Sequence, residues 1–300
     1  MNKVLITGGA GFVGTALIKR LLKKYPSIEI VSIDNYSSGY ESNHVKSKKV
    51  KYFNKDTQTL IPKKFDLNNT KMDYADGFEP DVVFHFGEFS RIVTSFDSFD
   101  NCWDFNMQGT KMVLDYCVAK KAKLIYSASS SKFGNDGKDE NLSPYAWMKA
   151  KMVELINNYA SWFNLKFEIT YFYNAYGPGQ VRTGDYATVI GIFEEQYSKG
   201  EPLTVVEPGE QSRDFTHIND IVSGVVLAAE KGQQGEYPLG TGIPHKIIDV
   251  AKMFKHKHIM IPERRGERFY GKAIPSLTYQ HLGWSAKIKL EDYIAKIISN

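Results

Sequence analysis

The sequence has few of the features that mark secreted, membrane or metal-binding proteins. Its 300 residues include only two cysteines, Cys102 and Cys117, too few for a disulfide framework in a chain of this length. No apolar run approaches the roughly 18 residues that a membrane span requires. No signal-peptide pattern precedes the first strand-like segment, and no His or Cys spacing suits a metal. We therefore expect a soluble cytoplasmic protein with no metal and no membrane partner.

An excess of one charge sign is also lacking. The chain has 38 Lys and Arg against 34 Asp and Glu, a formal net charge of +4. Lysines cluster only briefly, at 46–51 and 120–123, and such clusters usually form solvated helix or loop faces. With 42% apolar and 24% charged residues, the composition is globular and argues against disorder and against a nucleic-acid partner.

Short apolar segments alternate with amphipathic ones in the first part of the chain. Strands are predicted at 4–6, 29–33, 51–54, 81–86, 123–127 and 167–173. One helix is predicted after residue 12, and two longer helices over 99–120 and 144–164. This alternation is typical of an α/β fold, a Rossmann-type doubly wound parallel sheet with helices on both faces.

A glycine-rich turn follows the first predicted strand. Gly8, Gly11 and Gly14 have G-x-x-G-x-x-G spacing directly before the first predicted helix. Such a turn lets the backbone approach a pyrophosphate, which the free N–H groups of the helix N-terminus can bind. We expect a nucleotide cofactor at Gly8, Gly11, Phe12, Val13 and Gly14; a tight turn without ligand is the alternative.

An acidic residue, Asp34, ends the second predicted strand 20 positions after Gly14. A carboxylate at this point accepts hydrogen bonds from ribose hydroxyls and repels a 2′-phosphate, which favours NAD over NADP. The alternative is a carboxylate that only caps the turn before Asn35. Asn35, Asp56 and Thr57 are further candidates for the adenosine end of the cofactor.

Tyr145 and Lys149 lie four positions apart, on one face of a predicted helix. A free tyrosine has a pKa of about 10, but a nearby ammonium and a cationic nicotinamide would both favour the phenolate. Tyr145 could then remove a hydroxyl proton as hydride leaves the same carbon. Ser129, in the serine-rich stretch after the fifth predicted strand, could hydrogen-bond the reacting oxygen. An exposed Tyr–Lys pair and serines that merely end a strand are the alternatives.

Taken in order, these motifs resemble those of the extended short-chain dehydrogenases, the NAD-dependent nucleotide-sugar epimerase/dehydratase family. The resemblance extends over essentially the whole chain and is greatest to enzymes of the UDP-galactose (UDP-glucose) 4-epimerase type. The segments that carry it are 7–14, 34–39, 85–88, 106–110, 129–134, 145–149, 173–178, 213–221 and 282–284.

The resemblance implies roles for individual residues. Ser129 corresponds to the family's catalytic Ser or Thr, Tyr145 to its base, and Lys149 to the residue that holds both the ribose and the tyrosine. Along the cofactor it implies Phe86 and Gly87, supported by Asn106. For the substrate diphosphate it implies Asn174, Arg213 and Arg264.

The resemblance also implies an organisation of the chain. It gives an NAD-binding domain at 1–176, to which 215–241 returns, and a nucleotide-sugar-binding lobe at 177–214 and 242–300. The two long helices are those that pair across a homodimer in the family, so a homodimer is expected.

Two departures from the family pattern affect the predicted reaction. Ser130 and Ser131 stand where 4,6-dehydratases carry an acidic pair, which argues against dehydration. Glu88 replaces a usually small residue and has no assigned role. We expect an NAD-dependent 4-epimerase of a UDP-hexose that works through a 4-keto sugar. The alternatives are a 4-dehydrogenase or ketoreductase of a GDP- or dTDP-sugar, a 4,6-dehydratase, and a non-catalytic nucleotide-binding module.

Overall fold

A seven-stranded parallel sheet forms the centre of the molecule. The structure is a computed structural model, and it describes residues 1–60, 77–134 and 137–299. In chain order the strands of this sheet are β1 Lys3–Thr7, β2 Glu29–Asp34, β3 Val50–Asn54, β4 Val82–His85, β5 Lys123–Ser129, β6 Phe167–Phe172 and β7 Glu236–Leu239. Their spatial order is β7-β6-β5-β4-β1-β2-β3, with every neighbouring pair parallel.

This sheet confirms the predicted α/β class and all six predicted strands. Strands buried on both faces are continuous in apolar residues, as in Val4-Leu5-Ile6, which is fully buried. β7 adds a seventh strand next to β6 and brings residues 236–239 back to the first part of the chain. The boundaries of the two expected lobes stay a prediction.

Helices cover both faces of the sheet and form a smaller lobe at one end. In chain order they are α1 Phe12–Lys24, α2 Phe99–Trp103, α3 Thr110–Lys120, α4 Pro144–Phe163, α5 Val189–Ser198, α6 Ile218–Lys231, α7 Ile247–Met253, α8 Ser276–Leu282 and α9 Leu290–Ser299. The helix predicted over 144–164 is therefore confirmed as α4.

The single helix predicted over 99–120 differs from the structure. A π-helical segment, Asp104–Gly109, separates α2 from α3 without interrupting the helical course of the chain. A π segment accommodates one extra residue per turn and so turns a side chain inward that α-helical spacing would not. Here it carries the fully buried Asn106.

Apolar side chains from the two faces of the sheet pack into separate cores. On one face, Leu114 of α3 and Ile156 of α4 pack over the sheet residues Leu124 and Ile169. On the other face, α1 and α6 pack over the sheet through residues such as Leu17 and Val225. The sheet is thus enclosed, and its carboxyl-terminal edge is where loops can form a site.

The smaller lobe has a core of its own, built from α5, α7 and α9. Phe193, Val250 and Ile294 are among its buried residues. Short strand pairs complete it: His258–Ile261 pairs with Leu203–Val206, and Pro244–Lys246 pairs with Ser212–Asp214. In the part of the chain that the structure describes, no helix has the length and apolarity needed to cross a bilayer.

Candidate active site

A cleft opens at the carboxyl-terminal edge of the sheet, between β1 and β4, where the strand order reverses. Open α/β sheets bind ligands at this switch point. The main cavity there has a volume of about 530 Å³ and extends from the glycine turn to the smaller lobe. A small cavity of about 60 Å³ adjoins it beside Asp34. The two share the lining residues Gly8, Gly11, Ser38, Phe86 and Glu88.

The glycine turn is shaped by close backbone contacts. Gly8 has φ +73°, which favours glycine, and a Cβ on Gly14 would lie 2.2 Å from the carbonyl oxygen of Gly8. Gly11 is the N-cap of α1, and no side chain in the described residues caps this helix start. Phe12 and Val13 line the main cavity directly after it. The backbone and the helix N-terminus are therefore available to a phosphate group, and binding of the cofactor at these five residues stays a prediction.

Asp34 lies at the wall of the small cavity, with 8% of its surface exposed. Its Oδ2 accepts a hydrogen bond from Ala10 N at 2.9 Å, and its Oδ1 accepts one from Tyr36 N at 2.8 Å. Burial raises the pKa of this carboxyl, while the backbone N–H donors act against that shift. Asp34 thus caps the turn after β2 and also faces the cavity, so the two interpretations are compatible.

The other predicted adenosine-side residues surround the same small cavity. Asn35, Thr57 and Gly87 line it. Asp56 does not line it; its Oδ1 accepts a hydrogen bond from Asn35 Nδ2 at 2.6 Å. Asp56 therefore holds Asn35, and its predicted contact with the cofactor stays a prediction.

Asn106, on the π-helical segment, acts on the loop after β4 and not on the cavity. Its Oδ1 accepts a hydrogen bond from Phe89 N at 2.7 Å, and its Nδ2 donates one to Phe89 O at 3.0 Å. This pair of bonds fixes the segment that follows Phe86 and Gly87. The geometry is that of a supporting residue.

The predicted catalytic side chains line one wall of the main cavity. Ser129 ends β5, while Tyr145 and Lys149 come from the first turns of α4. The Oγ of Ser129 accepts hydrogen bonds from Ser131 Oγ at 2.9 Å and from Ser131 N at 3.2 Å. Because those bonds use its lone pairs, the Ser129 O–H remains for a ligand oxygen.

The ammonium of Lys149 is paired with the carboxylate of Glu88, the residue to which the sequence assigned no role. Its Nζ forms an ion pair with Glu88 Oε2 and donates to Ser127 O. It also lies 4.6 Å from the centre of the Tyr126 ring. The side chains of Lys149 and Glu88 are 5% and 2% exposed. A buried charge is stable only when paired in this way.

The three residues predicted for the substrate diphosphate, Asn174, Arg213 and Arg264, all line the main cavity. Asn174 Nδ2 donates to Asp214 O at 2.9 Å, and Arg213 Nη2 pairs with Glu267 Oε1 at 2.6 Å. Burial lowers the pKa of Arg213 to about 10, against the opposing effect of Glu267, so it stays charged at neutral pH.

Two further arginines of this cavity were not predicted. Arg268 is 6% exposed; it pairs with Asp139 at 3.3 Å and donates to Ser130 O at 3.2 Å. Arg91 lies over the ring of Tyr186, 5.5 Å from its centre, and donates to the carbonyl oxygen of Tyr186. The run Arg264-Arg265-Gly266-Glu267-Arg268 could have indicated Arg268 as a cavity residue from the sequence. No local sequence pattern indicated Arg91.

In the described ranges no group of three His, Cys, Asp or Glu residues is arranged to hold a metal ion. Cys102 and Cys117 are free buried thiols. Burial raises the pKa of Cys102 to about 12, so it is a thiol at neutral pH.

Comparison with known proteins connects this geometry to one group of enzymes. The family model described as "NAD dependent epimerase/dehydratase family" matches residues 4–240. A putative UDP-glucose 4-epimerase of Methanocaldococcus jannaschii is 26% identical over 315 residues, covering 99% of this chain and 97% of that protein. Other matching proteins include a decarboxylase of a UDP-sugar acid and dTDP-glucose 4,6-dehydratases.

Solved structures agree in fold. A UDP-glucose 4-epimerase of Thermotoga maritima, crystallised with UDP-glucose, has a TM-score of 0.87 at 24% identity, covering 99% of this chain and 97% of that one. A UDP-glucose 4-epimerase of Thermus thermophilus, in complex with NAD, has a TM-score of 0.84 at 24% identity, covering 99% and 98%. At this identity the structures establish the fold.

Proposed function

The chain belongs to the NAD dependent epimerase/dehydratase family, and from this premise we propose that it is a cytoplasmic NAD-dependent 4-epimerase of a nucleotide sugar. Its substrate is a UDP-hexose, in which the configuration at C4 is inverted through a transient 4-keto sugar. The observation that carries the proposal is the wall formed by Ser129, Tyr145 and Lys149, with Ser130 and Ser131 in place of an acidic pair.

The residues present fit NAD. The Gly8–Gly14 contact leaves no room for a Cβ, and the uncapped start of α1 adjoins both cavities. Gly8, Gly11, Phe12, Val13 and Gly14 would hold the pyrophosphate. At the adenosine end, Asp34 would accept the ribose hydroxyls, with Asn35 and Thr57 beside it. Its negative charge supports NAD over NADP.

When bound, NAD supplies an acceptor and donor of hydride for the sugar C4. Tyr145 takes the proton of the 4-hydroxyl as C4 is oxidised and returns it to the keto oxygen on reduction. Ser129 donates its free O–H to the same oxygen, where charge develops. The two half-reactions cancel, so conversion produces no net NADH.

The residues that follow Ser129 on this wall argue against a 4,6-dehydratase reaction. Elimination of water from C5 and C6 needs a general base and a general acid, which Ser130 and Ser131 cannot supply near neutral pH. Arg268 donates to Ser130 and fixes it in place. The nearby carboxylate of Glu88 is engaged by Lys149, Thr110 and Tyr126.

Cations on the far wall of the main cavity support a diphosphate-linked substrate. Arg264 has no ion-pair partner within the described residues, and Arg213 is charged although partly neutralised by Glu267. Guanidinium groups bind phosphate oxygens bidentately. Arg213, Arg264 and Asn174 would therefore hold the diphosphate while the sugar reaches Tyr145.

We also propose that the protein forms a homodimer. Exposed aromatic residues lie on the helices expected to pair: Trp162 and Phe163 on α4 are 61% and 46% exposed, and Phe99 on α2 is 47% exposed. Burial of such side chains between two copies would stabilise association.

Incubation with nucleotide sugars tests the proposed reaction. The purified protein is incubated with UDP-glucose, UDP-galactose and their N-acetyl forms, and the products are separated by chromatography. We expect one pair to interconvert with no net change in NADH absorbance. Tyr145→Phe should lower the rate by about 10²–10⁴-fold, the usual contribution of general base catalysis.

Tyr186→Phe is the matched control, because Tyr186 lines the same cavity but has no proposed proton role. Its rate should remain within a few fold of the wild type. Conversion of no nucleotide sugar would contradict the proposal, and net formation of NADH would identify a dehydrogenase instead.

A further inference from the structure

The buried carboxylate of Glu88 is part of the active-site wall, but the proposed reaction gives it no step. It stands on the loop after β4 and lines both cavities. Its side chain is 2% exposed, and burying a carboxylate is costly unless several partners hold it. The partners it has lie on three different elements of the fold, so its position is specified by the tertiary structure.

Three donors converge on Glu88. Lys149 Nζ of α4 pairs with Oε2. Thr110 Oγ1, at the start of α3, donates to Oε1 at 2.9 Å, and the Tyr126 hydroxyl of β5 donates to Oε1 at 3.0 Å. Both oxygens of the buried carboxylate therefore have hydrogen-bond donors, which offset the cost of burying it.

A line of hydrogen bonds from Thr7 through His85 to Thr110 also leads to Glu88. His85 is fully buried, and burial lowers its pKa to about 4, so its ring is neutral. Because Thr110 donates to Glu88, it accepts from His85 Nε2 at 2.9 Å. His85 Nδ1 is then the acceptor for Thr7 Oγ1 at 2.6 Å. Each member donates toward Glu88, which ends the line as its only anion.

The donors of Lys149 are largely used within the protein. An ammonium has three N–H groups. Glu88 and the Ser127 carbonyl take two of them, and the Tyr126 hydroxyl lies 3.4 Å from Nζ. Lys149 therefore faces the cavity as half of an ion pair held against β5.

We infer that Glu88 is a positioning residue that acts through Lys149: it fixes the ammonium against β5 and opposes its charge at Tyr145. The pH at which Tyr145 becomes a base is then set by the Glu88–Lys149 pair and not by Lys149 alone. This inference rests on the proposed function, in which Tyr145 is the base.

The other titratable groups around the pair contribute little opposing charge. His85 of β4 is neutral, Tyr126 of β5 has a pKa raised well above its usual range by burial and by Glu88, and Cys102 of α2 is a thiol. On the cavity side, Arg91 is a further cation and interacts with both Tyr145 and Tyr186. Asp185 is an acidic residue of the same cavity lining, and its charge acts on Tyr186. Glu88 is the carboxylate paired with Lys149.

Replacement of Glu88 by the isosteric amide tests the inference. Without the negative charge, proton loss from the Lys149–Tyr145 pair should become easier, because an anion favours the protonated form of a nearby ammonium or phenol. In Glu88→Gln we expect the acid limb of kcat/KM to move to lower pH by about one unit, a tenfold change in proton concentration. Glu88→Asp, which keeps the charge, should restore the limb toward the wild-type position.

A direct titration provides a readout that needs no turnover. The phenolate absorbance of Tyr145 is obtained by subtracting the titration of Tyr145→Phe, with and without Glu88→Gln. We expect its midpoint to move to lower pH by a similar amount. Thr110→Val is the matched control, because it removes one hydrogen bond to Glu88 and no charge; it should lower stability without moving the midpoint.

The outcomes separate the inference from the proposed function. If no sugar is converted, the absorbance titration still reports on Glu88. If sugar is converted but Glu88→Gln moves neither midpoint, or Thr110→Val moves them equally, Glu88 has only a structural role and the inference is wrong.

If the Glu88→Gln variant does not fold well, the unfolding stabilities of single and double variants test the buried pair instead. Lys149→Met leaves a buried unpaired carboxylate, so it should unfold at a lower urea concentration than the double variant Lys149→Met/Glu88→Gln. A double variant less stable than Lys149→Met would overturn the buried pair on which the inference depends.

Discussion

At the scale of single residues, the site depends on a few carboxylates whose surroundings give them different roles. Asp34 faces the small cavity and keeps backbone donors, Asp56 orients Asn35, and Glu88 is enclosed with Lys149. The chemistry of these three groups is the same. Their burial and partners decide whether each one binds, supports or neutralises.

Asp34 should determine the choice of cofactor. Replacing it by serine removes the acceptor for the ribose hydroxyls and the charge that repels a 2′-phosphate. We expect NAD affinity to fall by roughly ten- to a hundredfold, about 1.5–3 kcal/mol for hydrogen bonds to a charged group. The preference for NAD over NADP should fall as well. Both changes are measured by titration calorimetry.

Asp56→Asn is the control for the cofactor prediction. It alters a neighbouring carboxylate that binds Asn35 but does not line the small cavity. A smaller loss of NAD affinity is expected. Wild-type protein that bound NADP as tightly as NAD would contradict the role of Asp34.

His85 should make the protein less stable in mild acid. Its pKa falls from 6.5 to about 4 on folding because burial disfavours the charged ring. Between these pH values the unfolded chain binds a proton that the folded chain does not, so stability rises with pH through this window. The contribution lost by pH 4 is about 3 kcal/mol.

Urea unfolding across this pH window measures the effect. His85→Gln should be less stable at pH 7, because it disturbs the hydrogen bonds to Thr7 and Thr110, but its stability should vary less with pH. An equal pH dependence in the variant would show that other groups are responsible.

At the scale of elements, α4 is the part of the fold that brings the predicted catalytic pair, Tyr145 and Lys149, to the sheet. Ser143 is its N-cap and Pro144 its first residue, so Tyr145 lies within the first turn. One turn later, Lys149 meets the end of β5. A defined helix start is thus needed to fix both side chains.

Loss of the N-cap should therefore weaken the protein measurably. Ser143 Oγ accepts a hydrogen bond from Ala146 N at 3.1 Å. Ser143→Ala should lower the free energy of unfolding by about 1 kcal/mol, the usual value of such a cap. Ser98→Ala is the matched control, because Ser98 is the N-cap of α2 but its side chain accepts no cap hydrogen bond. Equal losses in the two variants would contradict this difference.

Much of this level of structure could be predicted from the sequence. The strands and α4 agree with their predicted positions, because continuous apolar runs and helical spacing reflect burial that each segment imposes locally. The glycine turn and Tyr145–Lys149 are likewise short-range patterns. The π segment could not be predicted, since one extra residue leaves the apolar spacing of 99–120 nearly intact.

Long-range partners were beyond what the sequence could provide. Glu88 was visible as an unusual residue, but Lys149 lies 61 positions away and Thr110 reaches Glu88 from a different helix. Arg91 contacts a residue 95 positions away. Such pairs depend on how strands are ordered in the sheet, which the family resemblance supplied only in outline.

At the scale of the whole molecule, the cleft lies between a large sheet-based core and a smaller helical one. The glycine turn, Tyr145 and Lys149 belong to the first, and Arg213 and Arg264 to the part that follows β6. In the proposed function, a substrate with a sugar at one end and a diphosphate at the other would span both parts.

The proposed homodimer is a prediction at this scale. Light scattering should give twice the 34.0 kDa of one chain. Trp162→Glu should shift the mass toward that of a monomer, because it puts a charge on the exposed face of α4. Tyr279→Glu, on α8, alters an equally exposed aromatic (63% against 61%) away from that face and should leave the mass unchanged. A monomeric wild type would refute the dimer.

The fate of the hydrogen on the sugar C4 tests the proposed reaction most directly. UDP-glucose carrying deuterium at C4 is converted by the purified protein, and the products are analysed by mass spectrometry and NMR. We predict UDP-galactose with deuterium retained at C4. Deuterium recovered at C6 of a dehydrated sugar, or lost from the sugar into reduced cofactor, would contradict the 4-epimerase and identify a dehydratase or a dehydrogenase.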